Sequence, residues 1–393
     1  MVFQSSATLN HAQPQPTSFA QVLNQYNWDD IRLTIGSKTA ADVHRALARS
    51  DAQQRLSLAD FMALISPAGE SYLEAMAQRS LALTQQRFGK TIQLYVPLYL
   101  SNLCSNICTY CGFSMHNAIR RKTLDMSELD SEVAAIKQLG FDHLLLVTGE
   151  SERKVGMDYF RQAIPRIRPH FSHLSMEVQP LATEDYAELK TLGVDAVLVY
   201  QETYSRRTYA EHHLKGKKSD FDWRLATPER LGAAGMNKIG IGALIGLDDW
   251  RTDCFMVASH LNFLQKRYWQ SRFSISFPRL RPCAGGLEPK SVMTDKQLVQ
   301  LICAYRLFNP ELELSLSTRE SAAFRDQVLP LGITTMSAYS QTQPGGYANA
   351  EPALEQFSIS DERSPQQVAS AIRQRGYQPV WTDWQSAYGR QTV

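Results

Sequence analysis

Eight short runs of β-forming residues punctuate this chain, and stretches with helical spacing lie between them. The runs are Ile92–Leu100, Leu144–Val147, Leu174–Val178, Ala196–Tyr200, Ile239–Ile245, Phe273–Phe277, Leu312–Leu316 and Ile333–Ser337. Between the first two, Leu129, Val133, Ile136 and Leu139 share a helical face, and Gly140 ends it. Strands that alternate with helices pair in parallel, because each helix carries the chain back across the sheet. Eight such units over about 250 residues match a TIM-type (β/α)8 barrel. An open doubly wound sheet would alternate in the same way. No G-x-G-x-x-G follows the first run, however, which disfavours the dinucleotide-binding version. The fold reading is therefore α/β, with the barrel in residues 91–345.

Additions flank the barrel. Residues 1–20 are rich in Gln, Ser, Pro and Ala and carry no Lys, Arg, Asp or Glu, which reads as a mobile arm. Residues 21–90 read as a helical leader. Thr39-Ala40-Ala41-Asp42 offers a capping start, and Leu73, Met76, Ala77 and Leu81 continue an apolar face. Residues 346–393 read as a C-terminal extension with a helix at Pro365–Arg375 and the aromatics Trp381, Trp384 and Tyr388.

Charge excludes some functions. The chain has 41 basic and 39 acidic side chains, which gives no global reason to bind nucleic acid or a membrane surface. No apolar run approaches the roughly 18 residues of a membrane span. The first basic residue is Arg32, so the charged start of a secretory signal is missing and a cytoplasmic enzyme is expected. Six cysteines in 393 residues are too few for a disulfide scaffold. Three of them form one cluster, Cys104-Ser-Asn-Ile-Cys108-Thr-Tyr-Cys111, with C-x3-C-x2-C spacing. Thiolates suit zinc or iron–sulfur clusters. Structural zinc takes four ligands, and a [4Fe–4S] cluster normally takes four cysteines. Three cysteines leave one iron open to another ligand. The loop follows the first strand, so in a barrel it lies on the C-terminal face, where active sites are built. A zinc-binding interaction protein without catalysis is the alternative from a different class.

C-x3-C-x2-C with an aromatic before its last cysteine resembles the signature of the radical SAM superfamily. The stretches Tyr95–Asn102, Val199–Tyr204, Ser276–Pro282, Ser317–Glu320 and Pro344–Tyr347 narrow the likeness. Together they resemble the 2-iminoacetate synthase (ThiH) family of aromatic amino acid lyases, across residues 20–393. The resemblance implies a [4Fe–4S] cluster on Cys104, Cys108 and Cys111 and S-adenosyl-L-methionine (SAM) as cofactors. It also implies cleavage of the Cα–Cβ bond of L-tyrosine to 2-iminoacetate and p-cresol, for the thiazole of thiamine. A related lyase acting on tryptophan or another aromatic amino acid is the nearer alternative. The tyrosine lyase of hydrogenase maturation carries a second cysteine cluster near its C-terminus, whereas the last cysteine here is Cys303. The implied partners are thiazole synthase (ThiG) and a low-potential electron donor such as flavodoxin.

Site residues follow from the same likeness. Tyr110, in the cluster loop, is assigned to the cofactor side. Gly149 and Glu150, after the second strand, would meet the SAM amino group; an ordinary turn is the bland alternative. Glu202, after the fourth strand, would serve SAM or stand as a rim charge. Arg224, read as opening the helix before the fifth strand, would pair with the SAM carboxylate. The glycines of Gly240-Ile-Gly242-Ala-Leu-Ile-Gly246 fit either a flat adenine or close barrel packing. Arg319, with Ser317, would hold the substrate carboxylate, unless it bridges Glu320 on the rim. Arg279 and Arg281 compete for that role. Tyr99 and Asn106 match pocket residues of the tryptophan lyase, and Ser340 is a weaker candidate. Cys254, Cys283 and Cys303 read as structural. His212-His213 reads as solvent-facing, with a phenol-proton or lid role as the sharper option. Arg120-Arg121-Lys122 and Lys215-Gly-Lys217-Lys218 read as solvated runs or as a docking face for an acidic donor.

Overall fold

The computed structural model of the protein describes residues 16–283, 286–348 and 355–382. All eight expected runs are strands: β1 (Thr91–Ser101), β2 (His143–Thr148), β3 (His173–Glu177), β4 (Ala196–Leu198), β5 (Lys238–Gly242), β6 (Arg272–Ser276), β7 (Glu313–Leu316) and β8 (Thr335–Ser337). Each pairs in parallel with the next. β8 returns to β1 through Gln93↔Thr335, Leu94↔Met336 and Tyr95↔Ser337, which closes the barrel. Alternation along the strands divides two environments. In β3 and just beyond it, Leu174, Met176 and Val178 join the core under the helices, while Glu177 lines the central cavity. A ninth strand, β9 (Gln378–Val380), was not foreseen. It pairs with Thr91–Gln93, before the register with β2 begins at Val96.

The leader folds onto the barrel. Its helices Leu58–Ile65 and Leu73–Phe88 pack on the barrel helix Asp295–Phe308, and Trp28–Gly36 packs on Trp250–Arg267. Thr39 and Asp42 form the expected capping box. The arm assigned to residues 1–20 ends earlier than its composition suggested. Phe19 begins the helix Phe19–Leu23, is fully buried, and stacks on His260 with ring centroids 3.9 Å apart. One large ring in a polar segment is enough to dock it. Residues 1–15 lie outside the described residues, as do Trp384 and Tyr388. Cys254 and Cys303 are buried in the core. Among the described residues no helix is long and apolar enough to cross a membrane.

The C-terminal segment returns across the barrel mouth. Gln356 N–H donates to Thr342 O at 3.0 Å, and Ser360 N–H to Thr318 O at 2.8 Å. Behind them Arg325 and Asp361 form a fully buried ion pair, and Arg363 grips Asp361 and Asp326. Removing one member of such a pair strands the other charge without water. Asp361→Ala should therefore cost about 3 kcal/mol of stability, seen as a lower melting temperature by circular dichroism.

Candidate active site

The cysteine loop is built from both sides. Asn102 begins it, with Nδ2 donating to Arg120 O at 2.9 Å and Oδ1 accepting from Lys122 N–H at 2.7 Å. Arg121 fills the inside of the turn and donates to the carbonyls of Asn102, Phe113, Ser114 and Asn117. It is thus not part of a solvated basic run, because a long irregular loop must have its buried carbonyls satisfied and a guanidinium offers five donors. On the other side Ile107–Cys108 pairs antiparallel with His213–Lys215. His213 is buried, 2.6 Å from Tyr110 Oη through Nε2 and 2.7 Å from Tyr209 O through Nδ1. The solvent-facing reading of that histidine fails, and its phenol-proton option fails with it.

All three thiols front the same cavity. Burial pushes each of them up, Cys111 to about 11. In a [4Fe–4S] cluster each of the three thiolates would bind a different iron and leave the fourth open to another ligand. The donor set fits the [4Fe–4S] cluster.

Beside the loop lies a buried charge quartet. Arg224 Nη1 is 2.9 Å from Glu150 Oε1, and Lys218 Nζ is 2.8 Å from Glu202 Oε1. Arg224 also reaches Glu202 at 3.5 Å and donates through Nε to Tyr200 O at 2.7 Å. Asn106 stitches the quartet to the cysteine loop, donating to Glu150 Oε2 at 2.8 Å and accepting from Lys218 N–H at 3.0 Å. Burial pushes both carboxyls up, but Arg224 and Lys218 outweigh it and hold them below the usual carboxylate range. Glu202 has φ 71°, an unusual backbone for a non-glycine residue and one that clusters at functional sites. Lys218 was missed, because its run of lysines looked solvated. The signal was Gly216, with φ +93°, where a Cβ would come within 2.1 Å of Asn106 Oδ1. Arg121 and Lys218 both turn inward, while Arg120, Lys215 and Lys217 of the two basic runs stay exposed.

One expected placement changes. Arg224 lies in the last turn of Phe221–Leu225, because Pro228 starts a separate helix, Thr227–Ala233, after it. Gly149 also packs on the cysteine loop, since a Cβ there would meet Leu103 O at 2.3 Å. Gly240 and Gly242 likewise abut Leu198 and Ser276 O, which supports close barrel packing.

The opposite wall carries Arg319. Its guanidinium stacks on Phe357 at 3.4 Å to the ring centroid and makes no hydrogen bond or ion pair among the described residues. Glu320 does not bridge it, being held by Arg279 and Arg281, which are therefore both engaged. Ser317 Oγ accepts from Arg319 N–H at 3.3 Å, and Ser340 lines the same space. Tyr99 is buried and donates to Gln356 Oε1 at 2.8 Å. Tyr99, Asn106, Tyr110, Gly149, Glu150, Glu202, Arg224, Ser317, Arg319 and the three cysteines all line one cavity at the C-terminal ends of the strands. Glu177 lines it too and was not foreseen.

A closed parallel barrel whose first strand opens into this three-cysteine loop defines a radical SAM enzyme. Residues 98–253 match the radical SAM superfamily, and residues 276–378 match the Biotin and Thiamin Synthesis associated domain. The chain is 64% identical to the 2-iminoacetate synthase of Salmonella typhimurium, over 95% of this chain and 98% of that protein. It is 63% identical to that of Escherichia coli K12 over the same shares. The crystal structure of HydG, a maturase of the [FeFe]-hydrogenase, superposes with a TM-score of 0.87 at 29% identity, covering 92% of this chain and 82% of that one. The chain belongs to the 2-iminoacetate synthase family.

The Gly149 contact tests the loop architecture. Gly149→Ala should displace the cysteine loop and lower iron and sulfide bound per chain after anaerobic reconstitution. Gly36→Ala, where nothing lies within 4 Å, should load normally.

Proposed function

We propose that this chain is a radical SAM lyase that cleaves the Cα–Cβ bond of L-tyrosine to 2-iminoacetate and p-cresol. One observation carries the reading beyond the family: the free Arg319 guanidinium, turned into the cysteine-lined cavity on the wall away from the charge quartet. SAM and tyrosine are both zwitterions, so each needs a cation of its own. Arg224 stands with the cysteine loop for the first, and Arg319 is left for the second. Cys104, Cys108 and Cys111 would hold the cluster. When bound, the cluster and SAM supply the 5′-deoxyadenosyl radical that takes a hydrogen from the substrate amine.

The side chains divide the remaining work. Glu150 and Arg224 neutralise each other in the free protein and would exchange that pair for the ammonium and carboxylate of SAM, so the site stays charge-balanced. Glu202 would accept from the ribose hydroxyls or the ammonium of SAM. Arg319, held flat on Phe357, presents a fork that a carboxylate accepts bidentately, and Ser317 borders it. Tyr110 backs the cluster loop through His213. Tyr99 walls the substrate space, and Asn106, engaged on both ends, positions the loop. Burial of the cavity excludes water and competing hydrogen donors. Free 2-iminoacetate hydrolyses readily, which supports a cytoplasmic hand-over to thiazole synthase (ThiG) for thiamine. Flavodoxin or a similar donor would supply the electron.

Reduced, reconstituted protein given SAM and tyrosine should form 5′-deoxyadenosine and p-cresol together. Deoxyadenosine without p-cresol, or products from tryptophan alone, would move the assignment to another aromatic amino acid. Arg319→Met should lower kcat/KM for tyrosine by roughly ten- to a hundredfold, the worth of hydrogen bonds to a charged group.

A further inference from the structure

Glu177 ends β3, and its side chain lines the cavity. Among the described residues its carboxylate takes part in no hydrogen bond or ion pair. The other carboxylates of this cavity, Glu150, Glu202 and Glu320, are all engaged. An acid kept inside a barrel without a partner is costly, and such a group is commonly waiting for a ligand. Burial, and then Glu202, push its carboxyl up to about 7 against the pull of Arg319, Lys218 and Arg224.

We propose that Glu177 accepts a hydrogen bond from the phenol of the substrate and so distinguishes a para-hydroxylated ring from a bare one. The inference rests on the tyrosine reading above and extends it to the far end of the substrate. Its basis is the order of the strands. In the closed ring of eight, β3 and β7 stand opposite each other, and Arg319 follows β7. The amino and carboxylate groups of an amino acid share one carbon. Both therefore stay near the wall that holds the carboxylate, and the opposite wall receives the far end of the side chain. The lining includes Leu145, Val147 and Leu198, with the rings of Tyr95 and Tyr200, a slot suited to an aromatic ring. The hydroxyls of those tyrosines are already occupied, Tyr95 with Ser315 at 3.2 Å and Tyr200 with Ser276 at 3.1 Å. Among the described residues Glu177 is the carboxylate of this cavity left without a partner. A phenol bonded to a carboxylate also donates more electron density into its ring, which favours the benzylic fragment released at Cβ.

The test is equilibrium binding by calorimetry to reconstituted protein with SAM and no reductant. L-Tyrosine and L-phenylalanine are compared on the wild type, Glu177→Leu and Glu177→Gln. The wild type should prefer tyrosine by on the order of a hundredfold or more, because phenylalanine leaves a buried acceptor unpaired. In Glu177→Leu the preference should fall to near one while phenylalanine still binds. Glu177→Gln keeps an acceptor oxygen and should recover part of the preference. A Leu variant that still prefers tyrosine would overturn the proposal. So would a variant whose affinity for phenylalanine falls in step, since that places Glu177 at the ammonium or in the fold. Absence of p-cresol from the wild-type reaction would remove the tyrosine reading itself, and this assignment with it.

Discussion

The Glu150–Arg224 contact, 2.9 Å long and 74 residues apart in sequence, holds the mouth of the barrel together. Asn106 ties the cysteine loop to Glu150, and Lys218 ties the ribbon beyond His213 to Glu202. Four charges in a dry site are tolerable only because they sum to zero and each is hydrogen-bonded. That balance explains how a chain with so little net charge binds two charged amino acids. Glu150, Arg224, Glu202 and Lys218 stay paired with one another inside the site.

Much of this is legible in the sequence. The eight strands are apolar runs of the right length with turn residues between them, and parallel strands buried on both faces read clearly. The three cysteines and their place after β1 were legible for the same local reason. What stayed hidden depends on distant partners. Gln378–Val380 is too short to read as a strand without β1 beside it. Arg121 and Lys218 looked solvated because a basic run carries no record of the carbonyls or carboxylates that enclose it. Arg224 lines the cavity, yet its helix was misplaced by one proline. Glu177 sits at the end of an unremarkable strand, and only the closed ring shows that it faces Arg319 across the cavity.

The residues after the barrel also proved to belong to the site. Phe357 sets the plane of Arg319, and Gln356 contacts both Tyr99 and the cysteine loop through Gly112 N–H. The buried Arg325–Asp361 pair anchors that segment from below. A division into barrel and extension describes the chain's order, whereas the cavity is made by both.

Gln356 adds a matter of timing. It meets Cys111 across 245 residues of chain. During synthesis the cysteine loop emerges long before the segment that roofs it. The covering over Cys111 is thus completed only by residues that follow the last barrel strand.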